Sequence, residues 1–389
     1  MARRRKRRNS AYQLKPGSID YKFLILALSI LSFGIIMVLS AGSTANTFTE
    51  GDQPFFYVIQ QIKWALLGIV VGGLAMVIPY PFWRKFAGLG ILFALTLLLA
   101  VLYSDAGHAA KGSARWLSIA GVSIQPSEFA KLALVLFYAH ILELHPVKSW
   151  RHLGVPLLVL APILLLVLKQ PDLGTAIVIL AVGVAMLLQT ELSTRYFLAA
   201  APVTGLLGYL YIRGNEYQMD RIRAWLDPWK YASGDGYQIA NAQIAFGSGG
   251  LFGVGLGRSA QKNGFLPENH TDTIFAIVGE ELGLVGATVL LILFILLFRQ
   301  GYLIARRCPD RFGRLLAYGL TSLLGIQTAI NLAVVTGVFP VTGITLPLIS
   351  YGGNSLLVTL VEIGILLNIS RYREEPVIVE DGQNIGVKG

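Results

Sequence analysis

Ten runs of apolar residues, at 22–41, 57–78, 86–103, 128–144, 153–168, 172–188, 196–212, 273–298, 315–336 and 348–369, alternate with short clusters of charge, Pro or Gly. A helix needs about 20 such residues to cross the hydrocarbon core of a bilayer. The pattern therefore predicts an all-α polytopic membrane protein with about ten transmembrane helices. One long polar segment, 213–271, interrupts the rhythm between the seventh and eighth runs. Within it, Ile239, Ala242, Ala245 and Phe246 share one helical face and Gln238, Asn241 and Gln243 lie off it, which predicts a short helix in the membrane interface.

Composition agrees with the pattern. Of the 389 residues, 54% are hydrophobic and 14% charged, against about 25% charged in a soluble domain, which excludes a soluble enzyme and a disordered regulator. A net charge of +10 would suggest nucleic acid in a soluble protein, but here it first reports orientation. With both termini in the cytoplasm, 21 of the 32 Lys and Arg fall on the cytoplasmic side, against five elsewhere once the long segment is discounted. The basic run Arg3–Arg8 reads as part of that signal, held near anionic lipid, and nucleic acid is not expected as a partner. The organisation is a basic cytoplasmic tail at 1–21, a transmembrane domain at 22–373 with an extracytoplasmic loop at 213–271, and a polar cytoplasmic tail at 374–389. The first apolar run is too long for a cleavable signal peptide. No internal repeat is visible, which disfavours a rocking carrier. The single cysteine, Cys308, excludes an internal disulfide, and five scattered histidines offer no structural zinc pattern.

Charged residues at membrane depth are candidates for function. Glu128 and Lys131 lie three apart on a helix that Pro126 and Ser127 would start. They are either an internal ion pair or a cationic partner for an anionic headgroup. Asp172, at a tight turn, suits an N-cap. Arg221, Arg223, Trp225 and Trp229 are either interface anchors or a surface for a sugar-phosphate lipid. Six glycines between Gly247 and Gly257 lack the strand and helix of a phosphate loop and read as a closely approached backbone turn. Glu268, His270, Asp272, Glu280 and Glu281 crowd the entry of the eighth run, where Thr271 or Asp272 could serve as a cap. The stretch 336–355, with two prolines and four glycines, is irregular backbone at membrane depth, tolerated where it is buried or walls a cavity.

These motifs, QPSEFAK at 125–131, QPDLGTA at 170–176, PENHTD at 267–272 with GEELG at 279–283, and PVTGITLPLISYGGNS at 340–355, closely resemble those of the SEDS family of bacterial envelope proteins (FtsW, RodA and SpoVE). The resemblance covers nearly all of 20–373. Thr273 and Asn354 depart from the usual Phe and Ser, and the wording leans toward the division branch over the elongation branch. The resemblance implies a multi-pass protein of the bacterial cytoplasmic membrane, a peptidoglycan glycosyltransferase that polymerises lipid II into undecaprenyl-linked glycan beside a class B penicillin-binding protein. The family's essential aspartate corresponds to Asp272. In such a reaction a base takes the proton of the attacking sugar hydroxyl and positive charge receives the departing pyrophosphate. Asp272 is the candidate base, its pKa raised by desolvation at the membrane lip. Arg221, Arg223 and Lys131 are candidates for the pyrophosphate, and Glu128, His270 and Ser350 complete the expected substrate-binding set. No soluble nucleotide sugar is required; the resemblance fixes no cofactor, and a divalent cation, Mg2+ or Mn2+, is compatible with a pyrophosphate leaving group. The alternatives are a lipid II flippase and a non-catalytic scaffold that activates a penicillin-binding protein.

Overall fold

A computed structural model describes residues 16–42, 55–103, 107–110, 113–119 and 122–372; most of the basic tail, including Arg3–Arg8, and all of the C-terminal tail lie outside them. A helix stands over every predicted run: α1 (Tyr21–Gly42), α2 (Phe56–Val77), α3 (Ala87–Tyr103), α4 (Pro126–Leu144), α5 (Gly154–Lys169), α6 (Leu173–Leu187), α7 (Thr194–Arg213), α10 (Ile274–Arg307), α11 (Arg311–Val335) and α12 (Gly353–Ser370). Two further helices, α8 (Glu216–Leu226) and α9 (Tyr237–Gly249), occupy the long segment. Seven helical stretches of the described residues are long and apolar enough to cross a bilayer. The count of ten thus depends on three others. At about 1.5 Å per residue, the 15 residues of α6 fall short of a 30 Å core, α4 carries Glu128, Lys131 and Glu143, and α7 ends on Arg213 and buries none of its residues.

The core centres on α12, which is apolar on most sides and almost wholly buried, as expected of a helix surrounded by others. Its closest neighbour is α2, reached through the small residues Gly68, Gly72 and Gly364, a packing that brings membrane helices into close contact. The described ends of the chain meet: Gly17 N donates to Arg371 O at 2.9 Å, and Asp20 N donates to Ser370 Oγ at 2.9 Å. Both ends therefore lie at one end of the bundle.

Two features go beyond the sequence pattern. Between α3 and α4 the chain forms a three-stranded antiparallel meander, β1 (Gly107–Ala110), β2 (Ser113–Ile119) and β3 (Val122–Ile124). Asn354 Nδ2 ties it to the start of α12 by donating to Ser123 O at 2.8 Å. The second feature is a break in α10 at Gly283, which has φ 65° and ψ −167°. A break frees backbone groups that must be paired again, and the glycine-rich segment supplies the partners. Val254 N and Gly255 N donate to Glu280 O and Glu281 O, both at 3.0 Å, while Leu284 N and Val285 N donate to Gly250 O and Leu251 O at 3.0 and 3.1 Å. The glycines therefore serve close backbone approach, and Gly253 faces Gly283 with no room for a Cβ on either.

Candidate active site

The two carboxylates after the PENHTD motif are structural. Glu281, fully buried, accepts from Ser40 Oγ at 2.7 and 2.6 Å, from Lys262 Nζ at 3.1 Å and from Ser259 N at 3.4 Å. Glu280 accepts from Ser259 Oγ and from Ala260 N at 2.9 Å. Together they pin the 259–262 segment to α1 and α10. Lys262 O in turn accepts from Asn269 Nδ2 at 3.0 Å, so this anchored segment carries the turn that precedes α10.

Asp272 sits on that turn, 7% exposed. The N-cap position of α10 is Thr273, with no side-chain capping bond; its Oγ1 donates backward to Pro267 O and Glu268 O at 2.9 and 2.8 Å. Neither Thr271 nor Asp272 occupies the cap. Asp272 Oδ2 instead accepts from Gln238 Nε2 of α9 at 3.2 Å, and Oδ1 from Thr271 Oγ1 at 3.3 Å. From below, Asn331 Nδ2 of α11 donates to Asp272 O at 2.8 Å and to Ile344 O at 2.7 Å. The apolar face of α9 buries Ile239, Ala242 and Ala245 and leaves Phe246 partly buried, while Asn241, expected off that face, is buried as well. The helix packs against α10, which aims Gln238 at the aspartate.

Two arginines flank this carboxylate. Arg221, on α8, donates from Nη1 to Val341 O at 2.9 Å and lies 4.5 Å above the Tyr217 ring. Trp225 Nε1, one turn further on, donates to Gly337 O at 2.9 Å, so α8 is laid over the irregular segment 336–352. Burial pushes the Arg221 guanidinium below the ordinary arginine range, with Arg115 adding to the shift and Tyr217, Asp272 and Asp172 opposing it. Arg115, on β2, donates from Nη2 to Pro171 O at 2.7 Å, stands 3.8 Å from Asp172 Oδ1, and has a buried Nε without a hydrogen-bond partner. Asp172 is the N-cap of α6, accepting from Thr175 N at 3.1 Å and Thr175 Oγ1 at 2.8 Å. Gly343, at φ 71°, lies between the groups: a Cβ there would be 3.9 Å from Arg115 Nη1 and 4.0 Å from Asp272 Oδ2. A Cβ would make only ordinary contact with either group, so it is the left-handed φ that calls for glycine here.

The other expected site residues divide around this centre. Glu128 and Lys131 are buried and paired, Nζ to Oε1 at 2.8 Å, and Lys131 also donates to Gln327 Oε1 at 2.6 Å. They line a small polar cavity with Gly343, Ile344 and Thr345, and Gly343 is also the residue beside which Asp272 Oδ2 lies. The internal ion pair is therefore the reading the geometry favours. His270 packs against Tyr57 and Tyr351, with ring centroids 4.0 and 5.6 Å away. Ser350 is buried and its Oγ accepts from Leu346 N at 2.7 Å, a bond that closes its own turn. Arg223 does not join the site: its side chain is 58% exposed and pairs with Asp220 at 2.9 Å. Sequence reading missed Arg115 and Asn331. An Arg-Trp pair in a stretch belonging to no apolar run, and one amide inside such a run, were the available signals.

Comparison with known proteins decides the family. The model of the FtsW/RodA/SpoVE family, described as cell cycle protein, matches residues 21–375. This chain belongs to that family. A probable peptidoglycan glycosyltransferase FtsW from Geobacter metallireducens is 42% identical over 354 residues, covering 90% of this chain and 94% of the relative. Stage V sporulation protein E of Bacillus subtilis is 40% identical, covering 92% and 98%. Among solved structures, a chain from work on the coordination of polymerization and crosslinking by a peptidoglycan synthase complex superposes with a TM-score of 0.77 at 30% identity, covering 92% of this chain and 99% of that one. Rod shape determining protein RodA of Thermus thermophilus gives 0.66 at 28% identity, covering 92% and 98%. As a member of the FtsW/RodA/SpoVE family with seven apolar helices of spanning length among its described residues, this chain is a multi-pass protein of the bacterial cytoplasmic membrane.

Proposed function

We propose that this chain is a peptidoglycan glycosyltransferase that polymerises lipid II at the outer face of the membrane. The observation that carries the reading is the convergence of Asp272 and Arg115 beside Gly343, with Arg221 held on Val341 O and electrostatically coupled to both. A sugar hydroxyl of the acceptor attacks the anomeric carbon of the lipid-linked donor. The new glycosidic C–O bond forms as the bond to the pyrophosphate oxygen breaks, and direct displacement inverts the centre. Asp272 takes the hydroxyl proton, with Gln238 fixing the carboxylate's orientation. Arg115 and Arg221 receive the charge that develops on the pyrophosphate. Among the described residues no group of three or more His, Cys, Asp or Glu is placed to hold a metal ion; a divalent cation carried by the pyrophosphate itself would need no such group. The relatives' names and the synthase complex support the activity, and a class B penicillin-binding protein is the proposed partner.

The test is reconstitution in liposomes with a partner whose transpeptidase site is inactivated, followed by addition of lipid II. Glycan polymer on a gel is the expected result. Movement of lipid II between leaflets without polymer under any partner condition would replace the reading with transport.

A further inference from the structure

We propose that Asn331 is a positioning residue that fixes the spacing between the Asp272 carboxylate and the arginine flank. The inference rests on the assignment of Asp272 as the base. Asn331 is 1% exposed and sits near the site end of α11, within the apolar stretch Ala329-Ile-Asn-Leu-Ala-Val-Val335, where a polar side chain needs a reason. Its single amide nitrogen bonds two carbonyls from separate segments, Asp272 O at 2.8 Å and Ile344 O at 2.7 Å. One belongs to the residue bearing the carboxylate. The other follows Gly343, the glycine against which Asp272 Oδ2 and Arg115 Nη1 both lie. The first turn of α10 closes on Thr273 O, from Ala276 N at 2.9 Å, which leaves Asp272 O for the asparagine.

Asn368, at the opposite end of the bundle, is a structural counterpart. Equally buried, it uses both ends of its amide: Oδ1 accepts from Tyr80 N at 2.7 Å and Nδ2 donates to Met76 O at 2.6 Å. In Asn331 the oxygen is buried without a hydrogen-bond partner. Such a group is costly in a folded protein and calls for an explanation. The explanation offered by the geometry is that both amide protons are committed to setting one distance at the reacting centre.

The experiment compares Asn331→Ala, Asn331→Asp, Asn368→Ala and Asp272→Asn in the full-length chain, reconstituted with its partner and assayed by initial rates of lipid II polymerisation. Loss of the tether should lower kcat about 100-fold at unchanged KM, the scale expected of a small misplacement at a reacting centre. Asn368→Ala should lower the melting temperature at least as much while leaving kcat per folded molecule unchanged. Asn331→Asp keeps the size and removes the donor, so it decides the matter if the alanine variant does not fold. Hydrogen exchange at residues 268–274 should quicken in both Asn331 variants. A kcat within twofold of wild type, or a loss of activity that only follows melting temperature as in Asn368→Ala, would overturn the proposal. Normal turnover by Asp272→Asn would instead remove the base assignment, with the exchange readout still judging the tether.

Discussion

Partly buried arginines stand at both ends of the bundle, and they differ in how fully carboxylates match their charge. At the end where the chain termini meet, Arg84 lies 3.1 Å from Glu143 and 3.4 Å from Asp310, with its guanidinium 4.8 Å above Phe312. Its charge is matched by carboxylates from two other elements, and the result is a clasp. At the other end, Arg221 bonds a backbone carbonyl and an aromatic face, and Arg115 bonds a carbonyl with its nearest carboxylate 3.8 Å away. A carbonyl orients a guanidinium without cancelling its charge. The same residue type is thus structural where acids surround it and available to an anion where carbonyls hold it.

Substitutions can break or sharpen this contrast. Arg84→Ala should cost on the order of 3–5 kcal/mol, because it leaves two nearly buried acids without their cation. Thermal unfolding in detergent would register the loss, with the polymerisation rate per folded molecule preserved. Arg221→Ala should do the reverse, lowering kcat/KM about 100-fold with little change in melting temperature, and Arg221→Lys should recover part of it by keeping the charge without the fork. Asp172→Ala removes the cap of α6 and should cost about 1 kcal/mol, read as a lower unfolding midpoint. Arg223→Ala should alter neither rate nor stability by more than about twofold in the corresponding constant, since exposed pairs contribute little.

The helical frame was legible because apolar length reports directly on a bilayer crossing, and the helices over all ten runs follow from it. Local chemistry was legible where partners are close in sequence: Asp172 as the cap of its own helix, and Glu128 with Lys131. What escaped were contacts between distant segments. Arg115 lies in a stretch whose strand pairing competes with no strong local signal, and it meets Asp172 and Gly343 only through the fold. Arg223 and Arg221, two residues apart, are indistinguishable by composition, yet a helix turns them about 200° from one another, so one reaches the site and the other faces solvent. Glu280 and Glu281 looked as chemical as Asp272 in sequence. Their hydrogen bonds to Ser40, Ser259 and Lys262 assign them instead to anchoring the 259–262 segment against α1 and α10.

The central claim is that Asp272 carries the proton in glycosyl transfer. The most direct measurement is the initial rate of lipid II polymerisation by Asp272→Asn, reconstituted with the partner and compared with wild type at matched folded concentration and melting temperature. A rate at least about 100-fold lower is predicted. A rate within twofold of wild type would contradict the account.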